Sequence, residues 1–167
     1  MTREEFKLIY IQYFDAIRNY IYYRSGDVDI AVDIAQETFL KIWKKQYRFD
    51  AKKTKSLLYK IAKGLFIDNI RKQKVQTKYL KELKFNFKDE DSENCPEYME
   101  LKNNYEKSLT RLPEKQRVVF LMSRKDDLKY KEIAERLNLS VKAIEKRMSL
   151  ALANLQKSML VYSDESN

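Results

Sequence analysis

The stretch Lys129–Leu155, KYKEIAERLNLSVKAIEKRMSLALANL, decides the fold, because two helical periods meet in it across a short break. Tyr130, Ile133, Ala134 and Leu137 recur at the spacing of one helix face. Val141, Ile144, Met148, Ala151 and Leu155 carry the same period beyond the break, so the pattern predicts two helices sharing a buried seam. Asn138 stands where the chain must turn, and asparagine enters the left-handed region more readily than most residues. Ser140 then suits the N-cap of the second helix. A helix-turn-helix follows. Away from the seam the second helix carries Lys142, Ala143, Lys146, Arg147, Ser149 and Leu150, cations mixed with small and apolar groups. That mixture suits a DNA major groove, and it equally suits a helical hairpin with a solvated basic face. This stretch alone leaves both open.

Working outward, the 167 residues include only two Gly and two Pro, and no strand-like runs bounded by turn signals break the helical periods. The prediction is an all-α chain of two small helical domains joined by a flexible acidic linker, the C-terminal domain carrying the helix-turn-helix. Formal net charge is +9, from 34 Lys and Arg against 25 Asp and Glu. Its placement is uneven: residues 1–75 carry +7, residues 76–107 carry −2 and residues 108–167 carry +4. Two basic blocks flanking an acidic middle point to an acidic polymer or surface as partner. One cysteine, Cys95, cannot close an internal disulfide, and without histidine neither a zinc site nor a histidine-based catalytic centre can be assembled. No cofactor, metal, catalytic residue or small-molecule substrate is therefore expected. The N-terminal MTREEFKLIY is charged and no apolar run reaches membrane-spanning length, so a cytoplasmic chain without membrane insertion is expected.

Phe6, Ile9, Tyr10, Tyr13, Ile17, Tyr20 and Ile21 predict an amphipathic helix over 3–24, ended by Ser25 and Gly26. Asp27 and Asp29 suit the first turn of the next helix, about 28–47, whose buried stripe is Val32, Ala35, Phe39 and Ile42 with Trp43 beside it. Asp33, Gln36 and Glu37 share an adjacent exposed stripe. It reads either as a solvated face with a Glu37 to Lys41 pair or as an acidic docking patch inside a basic domain. Arg48 to Ser56, RFDAKKTKS, has no helical period and reads as a basic loop before a helix over about 57–74 with Leu58, Ile61, Ala62 and Leu65 on its apolar stripe. From Lys41 to Lys74 there are 12 cations and two acids, a strong polyanion signal. The pattern fades from Val75 to about Asn104, where KDEDSENCPEYME reads as an acidic flexible linker, most simply a spacer. Helicity resumes near Tyr105, Pro113 suits the first position of a further helix, and Val118, Val119 and Met122 can pack on the helix-turn-helix. After Lys157 the tail looks frayed.

DIAQETFLKIW (33–43), LLYKIAKGLFIDNIRKQ (57–73), LPEKQRVVFLM (112–122) and YKEIAERLNLSVKAIEKRM (130–148) together resemble the extracytoplasmic-function, group IV, sigma factors of bacterial RNA polymerase, over nearly the whole chain. The first, with its DxxQExF core, looks like the polymerase-docking segment, the second like the helix engaging the minus-10 promoter element, and the last two like the minus-35-binding domain. The resemblance implies region 2 over 3–75, a linker over 76–104 and region 4 over 105–158. It implies that Asp33, Gln36, Glu37, Phe39 and Leu40 bind core polymerase. Arg48, Phe49, Lys52, Lys53, Lys55, Tyr59, Lys60, Lys63 and Arg71 would hold the melted minus-10 strand, with Tyr47, Phe49 and Tyr59 offering stacking surfaces. Tyr130, Lys131, Ser140, Lys142, Ala143, Lys146, Arg147, Ser149 and Leu150 would contact minus-35 DNA. The implied partners are core RNA polymerase, promoter DNA and an anti-sigma factor, and the implied role is non-enzymatic promoter recognition and melting.

Gly64 stands where many relatives have asparagine, and Leu150 and Leu152 replace positions that are often arginine. These departures bear on the promoter sequence rather than on the activity. The competing account is a stand-alone helix-turn-helix regulator, which would usually dimerise, yet no clear dimerisation helix follows Leu155. A nuclease would need a third metal-binding carboxylate beside Asp33 and Glu37, and none is evident.

Overall fold

A computed structural model describes residues 1–76, 83–88 and 95–165, and every regular element among them is helical. The order is α1 (Arg3–Ser25), α2 (Val28–Lys45), α3 (Ala51–Gln76), α4 (Pro96–Arg111), α5 (Glu114–Arg124), α6 (Tyr130–Leu137) and α7 (Val141–Glu165). Local chemistry sets most of these limits. Thr2 and Glu5 form a capping box at the start of α1, and Gly26 closes that helix at φ 65°. The Asp27 carboxylate accepts from the backbone of Asp29 and Ile30 to open α2.

The basic run 48–56 is not a loop throughout. Asp50 accepts from the N–H groups of Lys52 and Lys53 at 3.0 and 3.2 Å and so starts α3 at Ala51, which leaves only Arg48–Asp50 of that run outside the helix. Those bonds also hold the Asp50 carboxyl below its ordinary pKa. One capping acid among many lysines is a faint signal, which is why periodicity starts the helix later. The fourth helix likewise begins at Pro96 rather than near Tyr105. At the other end α7 runs on past Lys157 to Glu165, steadied by Arg111 over the Tyr162 ring at 5.1 Å and by Ser108 against Met159.

Helices α1–α3 enclose Ile17, Ile21, Ala35, Ile42, Leu58 and Ala62, all fully buried. Burying one such aliphatic side chain stabilises the fold by about 1.5–3 kcal/mol. Helices α4–α7 enclose Leu109, Val119, Leu121, Ile133, Ile144 and Ala151. The shared seam of α6 and α7 is the one periodicity predicts, except that Val141 lies outside it, 40% exposed. In α2, Val32 is only half-buried, while Ala31, Ile34 and Thr38 line the core.

The two helical groups pack on one another. Arg117 of α5 is buried and donates from Nε to the Tyr23 carbonyl at 2.8 Å, from Nη1 to Leu112 at 3.0 Å and from Nη2 to Arg24 at 3.1 Å. Burial lowers its proton affinity, and the three carbonyls compensate the charge in place. Residues 77–82 and the acidic 89–94 of the expected linker lie outside the described residues. The intervening stretch 83–88 is no plain spacer, because Phe85 is buried in the joint core.

Candidate nucleic-acid interface

Three surfaces carry the chemistry. On α2 the buried Ala31, Ile34, Ala35, Thr38 and Ile42 turn Asp33, Gln36 and Glu37 outward, with Leu40 (49% exposed) continuing the face. No ion pair between Glu37 and Lys41 is formed among the described residues. Phe39 differs from its expected role as a contact residue. It is 1% exposed and ringed by Phe6, Tyr10 and Phe14, with Tyr10 at 5.1 Å, so it supports the stripe from beneath and offers a partner no surface. Trp43 is the α2 aromatic that reaches the surface, packed on Phe6 at 5.0 Å.

Arg48, Phe49, Lys52, Lys53, Lys60, Lys63 and Arg71 are exposed before and along α3, and Lys55 is half-buried. Arg71 lies 3.9 Å from Asp68. Among the three aromatics expected to stack on bases, Phe49 is exposed at 44%, Tyr47 is half-buried and Tyr59 is buried. Tyr59 therefore cannot meet a base in this arrangement. Its ring lies edge-on to Tyr20 at 5.0 Å, and its hydroxyl accepts a 2.9 Å hydrogen bond from Arg136 of α6. Burial pushes the Tyr59 phenol up to about 12 against the opposing pull of the Arg136 charge.

On the helix-turn-helix, Asn138 adopts φ 53° and Ser140 accepts from Ala143 N–H at 3.1 Å, capping α7. Lys131, Ser140, Lys142, Lys146, Ser149 and Leu150 are exposed, whereas Tyr130, Ala143 and Arg147 are half-buried. The α3 and α7 surfaces border one cleft. Lys53, Lys60 and Lys63 line one side of a cleft of about 1210 Å³, and Arg147 and Leu150 line it with Arg24, Lys115 and Arg136. Its one acid, Glu114, is paired with Arg24. Sequence reading missed Arg24, Lys115 and Arg136, because each joins the cleft through packing between distant helices and carries no local signal. Lys142, Lys146 and Ser149 do not line this cleft.

Among the described residues no group of three or more His, Cys, Asp or Glu could hold a metal ion. No described helix is long and apolar enough to cross a membrane.

Comparison with known proteins matches residues 9–75 to Sigma-70 region 2 and residues 102–155 to Sigma-70, region 4. The chain is 31% identical over 161 residues to the ECF RNA polymerase sigma factor SigW of Bacillus subtilis (strain 168), covering 88% of this chain and 84% of that protein. It is 30% identical over 136 residues to the ferric citrate uptake sigma factor FecI of Escherichia coli (strain K12), covering 79% and 78%. The fold is similar to that of the sigma factor RpoE in its complex with the anti-sigma factor NepR from Bartonella quintana, with a TM-score of 0.69 and 22% identity over 95% of this chain and 98% of that one.

Proposed function

Because this chain belongs to the extracytoplasmic-function family of RNA polymerase sigma factors, we propose that its α2 stripe docks on core polymerase while α3 and α7 read the two promoter elements. The protein is a sigma factor that directs promoter-specific transcription initiation. Region 2 comprises α1–α3 and region 4 comprises α4–α7 in this reading. The observation that carries it is the exposure of Asp33, Gln36 and Glu37 on one face of a helix whose other face is core, beside a strongly cationic α3.

Each step follows from charge and stacking. Asp33 and Glu37 offer carboxylates to a basic polymerase surface, with Leu40 as an apolar contact. Lys52, Lys53, Lys60 and Lys63 hold phosphates of the minus-10 strand, and Phe49 stacks on an unpaired base. Base-aromatic stacking is worth about 1–3 kcal/mol per base, which offsets unpairing without ATP. Lys142, Lys146 and Arg147 hold minus-35 phosphates, with Ala143, Ser149 and Leu150 against base edges. A good bidentate base contact contributes about 1–3 kcal/mol, so one domain discriminates weakly and two tethered domains discriminate through promoter spacing. The chain performs no covalent chemistry itself, acts in the cytoplasm and has an anti-sigma factor as a further partner in this account.

The test is a titration of labelled protein into bacterial core RNA polymerase, comparing wild type with the Asp33→Lys, Glu37→Lys double variant. Tight binding lost in the variant, with helicity by circular dichroism unchanged, is the expected result. No binding by wild type would return the chain to the class of free-standing regulators.

A further inference from the structure

The cleft bordered by α3 carries more positive charge than the fold neutralises. From α3 it takes Lys53, Lys60 and Lys63, and from the facing elements Arg24, Lys115, Arg136 and Arg147. Glu114 is its one acid and is paired with Arg24. None of the other six cations makes an ion pair among the described residues. Like charges around a partly enclosed space repel one another, and low-dielectric walls strengthen the field inside it. Arg136 shows the deficit most directly. Its Nη1 donates to the Tyr59 hydroxyl at 2.9 Å, while its Nε is buried with no hydrogen-bond partner among the described residues. A guanidinium carries five donors and no acceptor, so an anion rich in acceptor oxygens completes it.

The same walls are partly apolar, with Leu57, Pro113, Leu139 and Leu150 among the lining. At about 1210 Å³ the space is slightly larger than the usual small-molecule cleft of about 300–1,000 Å³, so it has room for a ligand of nucleotide size. Because the one acid is already paired, the cleft offers no free carboxylate to a divalent cation. The charge of an anionic ligand is met by the lysines and arginines themselves, lysine as a point charge and arginine through paired donors. Lys115 and Arg136 belong to neither set of promoter-contacting residues, and Lys142, Lys146 and Ser149 lie outside the lining. The cleft is therefore a different surface from the outward face of α7.

We propose that this cleft is a binding site for a small polyphosphate, either a free phosphate chain or the chain of a nucleoside triphosphate, held between the α3 lysines on one wall and Lys115, Arg136 and Arg147 on the other. An occupant covers Lys53, Lys60 and Lys63 and so competes with the minus-10 strand for them. That consequence rests on the assignment of α3 made above, whereas the binding rests on the cleft alone.

The test titrates inorganic tripolyphosphate, adenosine triphosphate and adenosine into the full chain by calorimetry. Salt of about 0.15 M, with a screening length of about 8 Å, suppresses loose association over the exposed surface. Lys60→Gln with Lys115→Gln removes one exposed lysine from each wall, and Lys107→Gln with Lys157→Gln removes two exposed lysines outside the cleft, so net charge falls equally. One polyphosphate per chain is expected, bound about tenfold more weakly by the cleft variant and unchanged in the other. Equal affinity for tripolyphosphate and adenosine triphosphate would identify the phosphate chain as the ligand. Tighter binding of adenosine triphosphate, with none of adenosine, would place the nucleoside on the apolar lining. No binding of either polyphosphate by wild type, or equal losses in the two variants, would overturn the site. A short single-stranded oligonucleotide that binds wild type and is lost in the cleft variant, where tripolyphosphate binds neither, would overturn it too and return the cleft to nucleic acid. Core polymerase titrated into the same proteins tests the sigma assignment separately, because none of the four lysines lies on α2.

Discussion

The Tyr59 hydroxyl accepts a 2.9 Å hydrogen bond from the guanidinium of Arg136, 77 residues further along the chain. A ring of α3 is thereby held by a side chain of the helix-turn-helix. Burial of the ring, against the opposing pull of Arg136, also gives the joint an alkaline signature. The folded phenol is raised from 10.0 to about 12, so the neutral form is the one the fold favours. This contribution is fully present below pH 10.0 and is lost as pH rises through about 12. Wild type should therefore lose stability relative to Tyr59→Phe over that interval in denaturant titrations. Parallel pH profiles of the two proteins would refute the assignment.

Asp126 sets a second pH dependence at the same joint. It accepts from the Tyr23 hydroxyl at 2.5 Å and from Asn19 at 3.4 Å, and burial raises its carboxyl above the ordinary value against the opposing pull of those bonds and of Arg136. Its raised folded pKa means its contribution to stability is fully present below the unfolded value of 3.8 and is lost as pH climbs through the raised value. Asp126→Asn removes this titration, so its stability relative to wild type should rise across that window and then level off. A difference constant with pH would show that Asp126 does not titrate there.

Phe39 and Leu40 are neighbours with opposite predicted phenotypes. Phe39→Ala opens a cavity under Phe6, Tyr10 and Phe14 and should cost about 3–5 kcal/mol of stability. Leu40→Ala removes an exposed side chain and should change stability by less than about 0.5 kcal/mol while weakening polymerase binding. Thermal melts paired with polymerase titration distinguish them. The family-like DxxQExF pattern marks Phe39, but only three-dimensional packing shows that its ring is buried beneath the stripe.

The lysines at the start of α3 and those on α7 should separate kinetically. Replacing Lys52 and Lys53 with Ala should slow promoter opening more than it weakens duplex binding, and Phe49→Ala should reduce affinity for single-stranded minus-10 DNA by about 1–3 kcal/mol. Equal losses in opening and duplex binding would count against strand capture.

Lys146→Ala with Arg147→Ala should weaken minus-35 binding and flatten its salt dependence by about 0.9 in logarithmic slope for each phosphate contact removed. An unaltered slope would move the phosphate contacts elsewhere on α7.

The sequence by itself determined what is local. Helical period placed most of the buried seams of α1 and α6–α7 and, in α2, Ala35, Phe39 and Ile42; Asn138 and Ser140 marked the turn, Gly26 marked the end of α1, and Asp33, Gln36 and Glu37 were legible as an exposed stripe because helix geometry puts them there. Asp50 was legible only in principle, since a single cap starts α3 inside a run of lysines. Tertiary structure decided what depends on residues far apart. Tyr59 is buried against Tyr20 of α1 and meets Arg136 from 77 residues away, and Arg117 is satisfied by carbonyls of Tyr23 and Arg24 more than 90 residues earlier. Phe85 enters the core because α1 and α5, one before it in sequence and one after, converge on it. Periodicity and capping act over a few residues, whereas desolvation acts on whatever the folded chain brings together.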